Sequence, residues 1–177
     1  MAVAAPPDRE RLSNDQLNTG VTAALIGGFA LSNLNGGGLV DADDTSGLGT
    51  LGIVIYVLSC LSVHACTCSA LTSALLYRVI NQLEDEGVGL WANRHPILLK
   101  LPLMKFGMGC LSYLSSVLCL SFRDLEGLPL PRVIAFVIGG GSMTTVFMTV
   151  LAIARDSPQK PAHARVTPFS DGTAAGK

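Results

Sequence analysis

Residues 48–83 read LGTLGIVIYVLSCLSVHACTCSALTSALLYRVINQL, and Arg78 is the only Asp, Glu, Lys or Arg among them. A helix rises about 1.5 Å per residue, so this stretch would extend over about 54 Å, more than the ~30 Å hydrocarbon core of a bilayer. We therefore expect a membrane-spanning helix whose last turns, from Arg78 onward, project into water.

Three other stretches, at about 19–34, 101–122 and 133–154, avoid charge in the same way, apart from Lys105. Of the 177 residues, 49% are hydrophobic and 14% are charged, whereas a soluble domain has roughly a quarter charged. The sequence predicts an all-α, polytopic membrane protein with four transmembrane helices. Their expected ranges are about 19–35, 48–83, 97–122 and 133–154, between an N-terminal segment 1–18 and a C-terminal tail 155–177.

The overall charge and hydropathy exclude two other classes of protein. The net charge is only −1, which argues against a nucleic-acid-binding protein. The mean hydropathy of +0.48 argues against a disordered chain. The lipid bilayer is therefore the expected partner, and no nucleic acid is expected.

The distribution of Lys and Arg predicts the topology. If both termini are inside, the inner segments carry ten of these residues and the outer segments carry two. Cytoplasmic segments are enriched in positive charge, so we expect both termini in the cytoplasm, or on the matrix or stroma side in an organelle. Lys100 and Lys105, at the inner end of the third helix, are expected to extend toward lipid headgroups.

Small polar residues on the first helix indicate a surface that faces protein or water rather than lipid. Thr22, Phe29 and Asn33 are separated by seven and four positions and so share one helical face, with Ser32 as a further candidate. Phe29 would be an apolar constriction in a mostly neutral pore. This face offers no ring of carboxylates, which is a common way to build a cation filter.

Two segments that connect the predicted spans carry further candidate features, an acidic loop and a residue suited to the membrane interface. Residues 35–47 read NGGGLVDADDTSG, in which three glycines end the helix and Asp41, Asp43 and Asp44 form an acidic loop. The loop is either solvated or a cluster that concentrates cations at an outer mouth. Residues 85–100 are expected to be a linker, in which Trp91 suits a membrane interface.

His64 is the only ionisable residue deep inside a predicted span. Such a residue is a candidate functional group, and a histidine can titrate near neutral pH and act as a gate. The alternative is a neutral imidazole that is hydrogen-bonded to a Ser or Thr of a neighbouring helix. The residue alone leaves both interpretations open.

Glycines and cysteines within the spans are interpreted first as packing residues. Small side chains allow helix backbones to approach closely, and the candidates are Gly27, Gly28, Gly139, Gly140 and Gly141. A gating hinge is the alternative for the glycines. All five cysteines lie in apolar stretches at spacings that match no metal or redox motif, so a redox pair between helices is the less favoured reading.

No enzymatic function is expected. The sequence contains no Walker loop, no HExxH, no GxSxG and no dinucleotide-binding glycine motif after a strand. His64, His95 and His163 are on different elements and lack ligand spacing. We therefore predict no catalytic residue, no bound metal and no cofactor.

Two motifs resemble the Orai family of calcium-release-activated channels. The run Gly28-Phe29-Ala30-Leu31 is similar to one in that family's pore-lining first helix, and Val63-His64 follows at a similar distance in the second. The Ser59-Cys60 pair and the long second helix also fit, and the similarity covers about residues 20–84. The resemblance implies a four-helix subunit of a homo-oligomeric cation channel. It implies that Phe29 is a hydrophobic gate, and that His64 contacts the first helix.

The sequence departs from that family at the positions that select the ion. The selectivity glutamate falls on Gly36, and the inner basic positions find no matching Arg or Lys within two turns before Gly20. Ser115 and Ser116 stand where the third helix would carry an acidic residue. The resemblance thus implies a shared fold more than a shared calcium selectivity. A non-catalytic accessory subunit of a larger organellar or translocase assembly is the competing hypothesis.

Overall fold

The computed structural model describes residues 9–35 and 47–155, which form five helices. The helices are α1 (Arg9–Asn35), α2 (Gly47–Gln82), α3 (Asp85–Arg94), α4 (Pro96–Asp124) and α5 (Pro129–Arg155). Four of them, all except α3, are long and apolar enough to cross a membrane, and the described ranges contain no strand. The prediction of an all-α, multi-pass membrane protein with four spans is confirmed.

The first helix begins at Arg9, well before the expected residue 19. Its polar first turns are held by the end of α2 and the start of α3. Ser13 Oγ donates to Asn81 Oδ1 at 3.3 Å, and Arg9 forms an ion pair with Asp85 at 3.2 Å. Part of the predicted N-terminal segment is therefore helix, because tertiary contacts extend α1 beyond its apolar core.

The predicted linker 85–100 contains the short helix α3 and the first turns of α4. Val88 and Ala92 bury one side of α3, while Pro96 occupies the first turn of α4, where its missing N–H costs nothing. Pro102 lies inside α4. The last helix, α5, begins at Pro129, four residues before the expected start of the fourth span at residue 133.

The second helix, α2, is the centre of the structure and packs against both α1 and α4. A buried stripe of small side chains makes both contacts: Ser59, Ser62, Cys66, Ser69 and Ser73. Toward α4, the Ser59 and Ser116 hydroxyls lie 2.6 Å apart. Small residues suit helix packing in a bilayer, where close backbone approach replaces the hydrophobic driving force available in water.

The last helix, α5, is peripheral and packs on α4. Phe122 and Phe136 contact edge to face, with ring centroids 5.7 Å apart, and Arg132 lies 4.7 Å above the Phe122 ring. Residues 129–152 include no fully buried side chain. An apolar helix that is exposed on most of its surface is suited to contact lipid.

The ends of the helices define two ends of the molecule. α2 runs antiparallel to α1 and α4. Near the end of α5, Val150 contacts Gly107, which lies in the first half of α4. The beginnings of α1 and α4, the ends of α2 and α5, and the whole of α3 therefore lie together. We call this the α3 end, and the other the opposite end.

The Ser59–Ser116 contact predicts a measurable coupling. Ser116→Ala should lower the free energy of unfolding by about 0.5–2 kcal/mol, because it leaves the buried Ser59 hydroxyl without its nearest partner. The double variant Ser59→Ala/Ser116→Ala should cost less than the two single changes added together. Reversible unfolding in mixed micelles, followed by circular dichroism, measures all three.

Ser73→Ala is the matched control for this cycle. Ser73 is as buried as Ser59, but its hydroxyl has no hydrogen-bond partner within the described residues. Its removal should therefore be neutral or slightly stabilising. Equal losses for Ser73→Ala and Ser116→Ala would contradict a specific role for the Ser59–Ser116 hydrogen bond.

Candidate functional site

Among the described residues, one side of α1 is covered by α2 and α4, and the other side is exposed. Ala23 and Ala30 are fully buried on the covered side, where Gly27 meets Cys66 of α2. The open side carries a line of exposed residues at alternating spacings of four and three, which we call the α1 outer face: Asn18, Thr22, Leu25, Phe29 and Ser32.

The α1 outer face is polar at both ends and apolar in the middle. Leu25 and Phe29 are more than half exposed, at 58% and 55%. Thr22 donates its hydroxyl to the Asn18 carbonyl at 2.8 Å, which satisfies the hydroxyl within its own helix. Neither the Asn18 carboxamide nor the Ser32 hydroxyl forms a side-chain hydrogen bond with another described residue. They require water or another protein surface if the membrane surrounds them.

The structure places the predicted pore and gate residues of α1 as follows. Phe29 and Ser32 lie on the α1 outer face with Thr22. Asn33 is half-buried at its edge, and its side-chain nitrogen is buried without a partner in the described part of the chain. Ser32, rather than Asn33, therefore continues the line through Thr22 and Phe29. Gly36 lies outside the described residues, as do Asp41, Asp43 and Asp44.

His64 lies at the depth of Phe29 but points elsewhere. In the antiparallel pair of helices, Gly20 meets Ser73 and Gly27 meets Cys66, so the next level joins Phe29 to His64. His64 is exposed, on the side of α2 opposite the residues that contact α1 and α4. It forms no hydrogen bond within residues 9–35 and 47–155. Within one chain His64 therefore faces away from the first helix.

The five glycines predicted to pack helices divide into two groups. A Cβ on Gly27 would lie 3.2 Å from the Cys66 Cβ, and one on Gly139 would lie 2.9 Å from Leu118 Cδ1. The others have no neighbouring atom within 4 Å of the position of a Cβ, so they make no close contact with another described helix: Gly28, Gly140 and Gly141.

The tightest helix contact is at a glycine that sequence reasoning missed. A Cβ on Gly109 would collide with Cys66 Sγ, and the Gly109 carbonyl accepts a hydrogen bond from Ser62 at 2.8 Å. The available signal was a row of small residues at helical spacing in α4: Gly109, Ser112 and Ser116. Cys66 is buried between α1 and α4 and, like the other cysteines, is free, which is consistent with a packing role.

Side chains of the types that bind metals are dispersed over the described residues. Within the ranges that the structure describes, no three His, Cys, Asp or Glu side chains lie close enough together to hold an ion. The arrangement instead presents a polar helix face beside a tightly packed pair of helices. No family model, curated protein or solved structure matches this chain.

Proposed function

We propose that this chain is one subunit of a homo-oligomeric cation channel of Orai-like architecture, in which the α1 outer faces of several copies line the pore. The observation that supports the proposal is that face itself. It carries Asn18, Thr22 and Ser32 on a surface that no other described residue covers, in the least apolar of the four spans. The exposed large apolar residues of α2 and α5 suit lipid. The exposed hydroxyls of α5, such as Ser142 and Thr145, donate to carbonyls of their own helix.

The order of side chains along the face fits a gated path. Asn18 and Thr22 provide polar groups toward the α3 end, and Ser32 provides one toward the opposite end. Leu25 and Phe29 between them would form an apolar constriction, which can close a pore by excluding water. A ring of Phe29 side chains would thus be the gate.

The charge around this path favours cations. No Lys or Arg occurs between Arg11 and Arg78, whereas this part of the sequence contains Asp15 and the three acidic residues at 41, 43 and 44. A pore surrounded by this excess of negative charge raises the local concentration of cations. Calcium selectivity is not part of the proposal, because Gly36 stands where the Orai glutamate would be.

In a ring of copies, the exposed His64 would lie against an adjacent subunit. Its imidazole is exposed at mid-depth on α2, where an unpaired polar group in lipid is unfavourable. Since His64 points away from α1 of its own chain, a contact with a first helix would have to come from an adjacent copy. The proposal therefore assigns His64 to the boundary between subunits.

Cation flux into proteoliposomes tests the proposed function. Phe29→Ser removes the apolar constriction and should raise the flux by about tenfold or more, because a hydrated constriction no longer excludes ions. Leu31→Ser is the matched control. It adds the same hydroxyl to another exposed position of α1, 47% exposed, that lies off the line of the α1 outer face. It should leave the flux unchanged.

Native mass measurement of the purified protein completes the test. A ring of identical chains together with a Phe29→Ser increase supports the channel. A single copy without flux in either variant would overturn it and favour the accessory subunit, in which an unrelated protein covers the α1 outer face. Equal flux increases from Phe29→Ser and Leu31→Ser would indicate a non-specific leak and would also count against the proposal.

A further inference from the structure

The later part of α3 and all of α4 up to Phe122 carry positive charge only. From Gly87 to Phe122 the sequence contains Arg94, Lys100 and Lys105 and no acidic residue. Arg94 ends α3, and Lys100 lies in the first turns of α4, so both cations are at the α3 end. α3 begins with two acidic residues, Asp85 and Glu86, of which Asp85 is paired with Arg9. Arg94 follows Glu86 by eight residues, about 12 Å along the helix.

Large apolar side chains are exposed beside these cations. Leu90 is 76% exposed and Ile97 is 80% exposed, the latter being the most exposed large hydrophobic residue in the described ranges. The other side of α3 is fixed to the protein, since Val88 is fully buried and Ala92 is 8% exposed. The helix α3 therefore presents Leu90 and Arg94 outward from an anchored position.

The depth of this segment matches the boundary between lipid tails and headgroups. The 29 residues of α4 would extend over about 43 Å, which is longer than the ~30 Å hydrocarbon core, so its first turns project beyond that core. Trp91, whose ring lies 5.3 Å from that of His95, is a residue type enriched at this boundary. Exposed apolar side chains at this depth can enter the acyl region, while neighbouring cations reach phosphate groups.

We propose that α3 and the first turns of α4 form a binding site for anionic phospholipid headgroups. Arg94 and Lys100 would contact the phosphate. Leu90 and Ile97, beside these cations, would enter the acyl region of the bilayer. The two exposed apolar residues favour a lipid over a free phosphate ion, because only a lipid supplies an apolar partner for them. The site is separate from the α1 outer face, so the inference does not depend on the proposed channel function.

Trp91 is the only tryptophan of the chain, and it therefore reports on this site without any label. The full-length protein is reconstituted in neutral phosphatidylcholine containing equal fractions of either a brominated anionic or a brominated neutral phospholipid. We expect stronger quenching of Trp91 by the anionic lipid. Each cation near an anionic surface changes lipid association by about fivefold, so Arg94→Gln/Lys100→Gln should remove most of the preference.

Arg11→Gln is the matched control, because Arg11 is an exposed cation at the same end but on α1. It should keep the preference for the anionic lipid. Equal quenching by both lipids in the native protein would overturn the proposal, as would a preference that survives in Arg94→Gln/Lys100→Gln. High salt applied to the native protein tests the same point without any substitution and should abolish the preference.

Inorganic phosphate separates a lipid site from a general anion site. Added to the protein in neutral vesicles, it should leave the Trp91 emission unchanged. If it changes the emission and displaces the brominated anionic lipid, the segment binds free phosphate, and the lipid proposal is wrong.

Discussion

Replacing Gly109 with alanine is expected to weaken the contact between α2 and α4 severely. The new Cβ would collide with Cys66 Sγ and would also lie 3.3 Å from the Cys66 backbone nitrogen and 3.4 Å from the Ser62 carbonyl oxygen. Backbone atoms of a helix cannot move aside individually, so the two helices must separate. Overpacking of this kind costs about 1–3 kcal/mol, and we expect Gly109→Ala to fall at the upper end.

Separation of the helices would also affect their hydrogen bonds. Ser62 donates to the Gly109 carbonyl at 2.8 Å, and Ser69 donates to the Pro102 carbonyl at 2.8 Å on the same side of α2. Both distances would increase if α4 moved away. The effect of Gly109→Ala should therefore spread along α4 rather than remain at one residue.

Equilibrium unfolding in mixed micelles measures this loss, and two variants make it specific. Gly140→Ala introduces the same methyl group at a position where no neighbouring described atom lies within 4 Å of the new Cβ. It should therefore be neutral or stabilising by up to about 1 kcal/mol. Cys66→Ala removes the sulfur that the new Cβ would meet and should partly rescue Gly109→Ala. Equal stability of Gly109→Ala and Gly140→Ala would show that α2 and α4 are not packed as described.

Gly27→Leu and Gly28→Leu should have opposite consequences, although the two glycines are adjacent. A Cβ on Gly27 already lies 3.2 Å from the Cys66 Cβ, so a leucine there cannot fit between α1 and α2. We expect it to destabilise the α1–α2 pair by about 3 kcal/mol, or to prevent assembly. No described atom lies within 4 Å of the position of a Cβ on Gly28, so Gly28→Leu should leave the stability of the monomer almost unchanged.

Two measurements on the same samples distinguish folding from assembly. The free energy of unfolding should fall for Gly27→Leu alone. The oligomeric state, measured by native mass, should change for Gly28→Leu if adjacent copies meet along α1, as the proposed channel requires. A loss of stability for Gly28→Leu equal to that of Gly27→Leu would contradict the described orientation of α1.

The sequence was informative about which segments cross the membrane. Spanning a bilayer depends on a run of about 20 apolar residues, which is a local property that can be read without knowing any contact. The same reasoning failed where stability comes from contacts between distant residues. The first turns of α1 are polar and were not predicted as helix, yet Ser13 and Arg9 are held by Asn81 and Asp85.

The candidate site was found only in part from sequence. Thr22, Phe29 and Ser32 were identified as pore candidates, and all three lie on the α1 outer face. The orientation of His64 was not predictable, because helical periodicity relates residues within one helix and does not show which side a neighbouring helix will occupy. The resemblance to the Orai family remains a hypothesis that the flux and assembly measurements test.

By itself, the sequence determined the class of the protein: an all-α chain with four apolar helices long enough to cross a membrane. Only the tertiary structure decided which side of each helix is covered. Gly27 and Gly28 have nearly the same local sequence, but one meets Cys66 and the other has open space. The physical reason is that a helix turns by about 100° per residue, so adjacent positions face different surroundings once α2 has packed against one side.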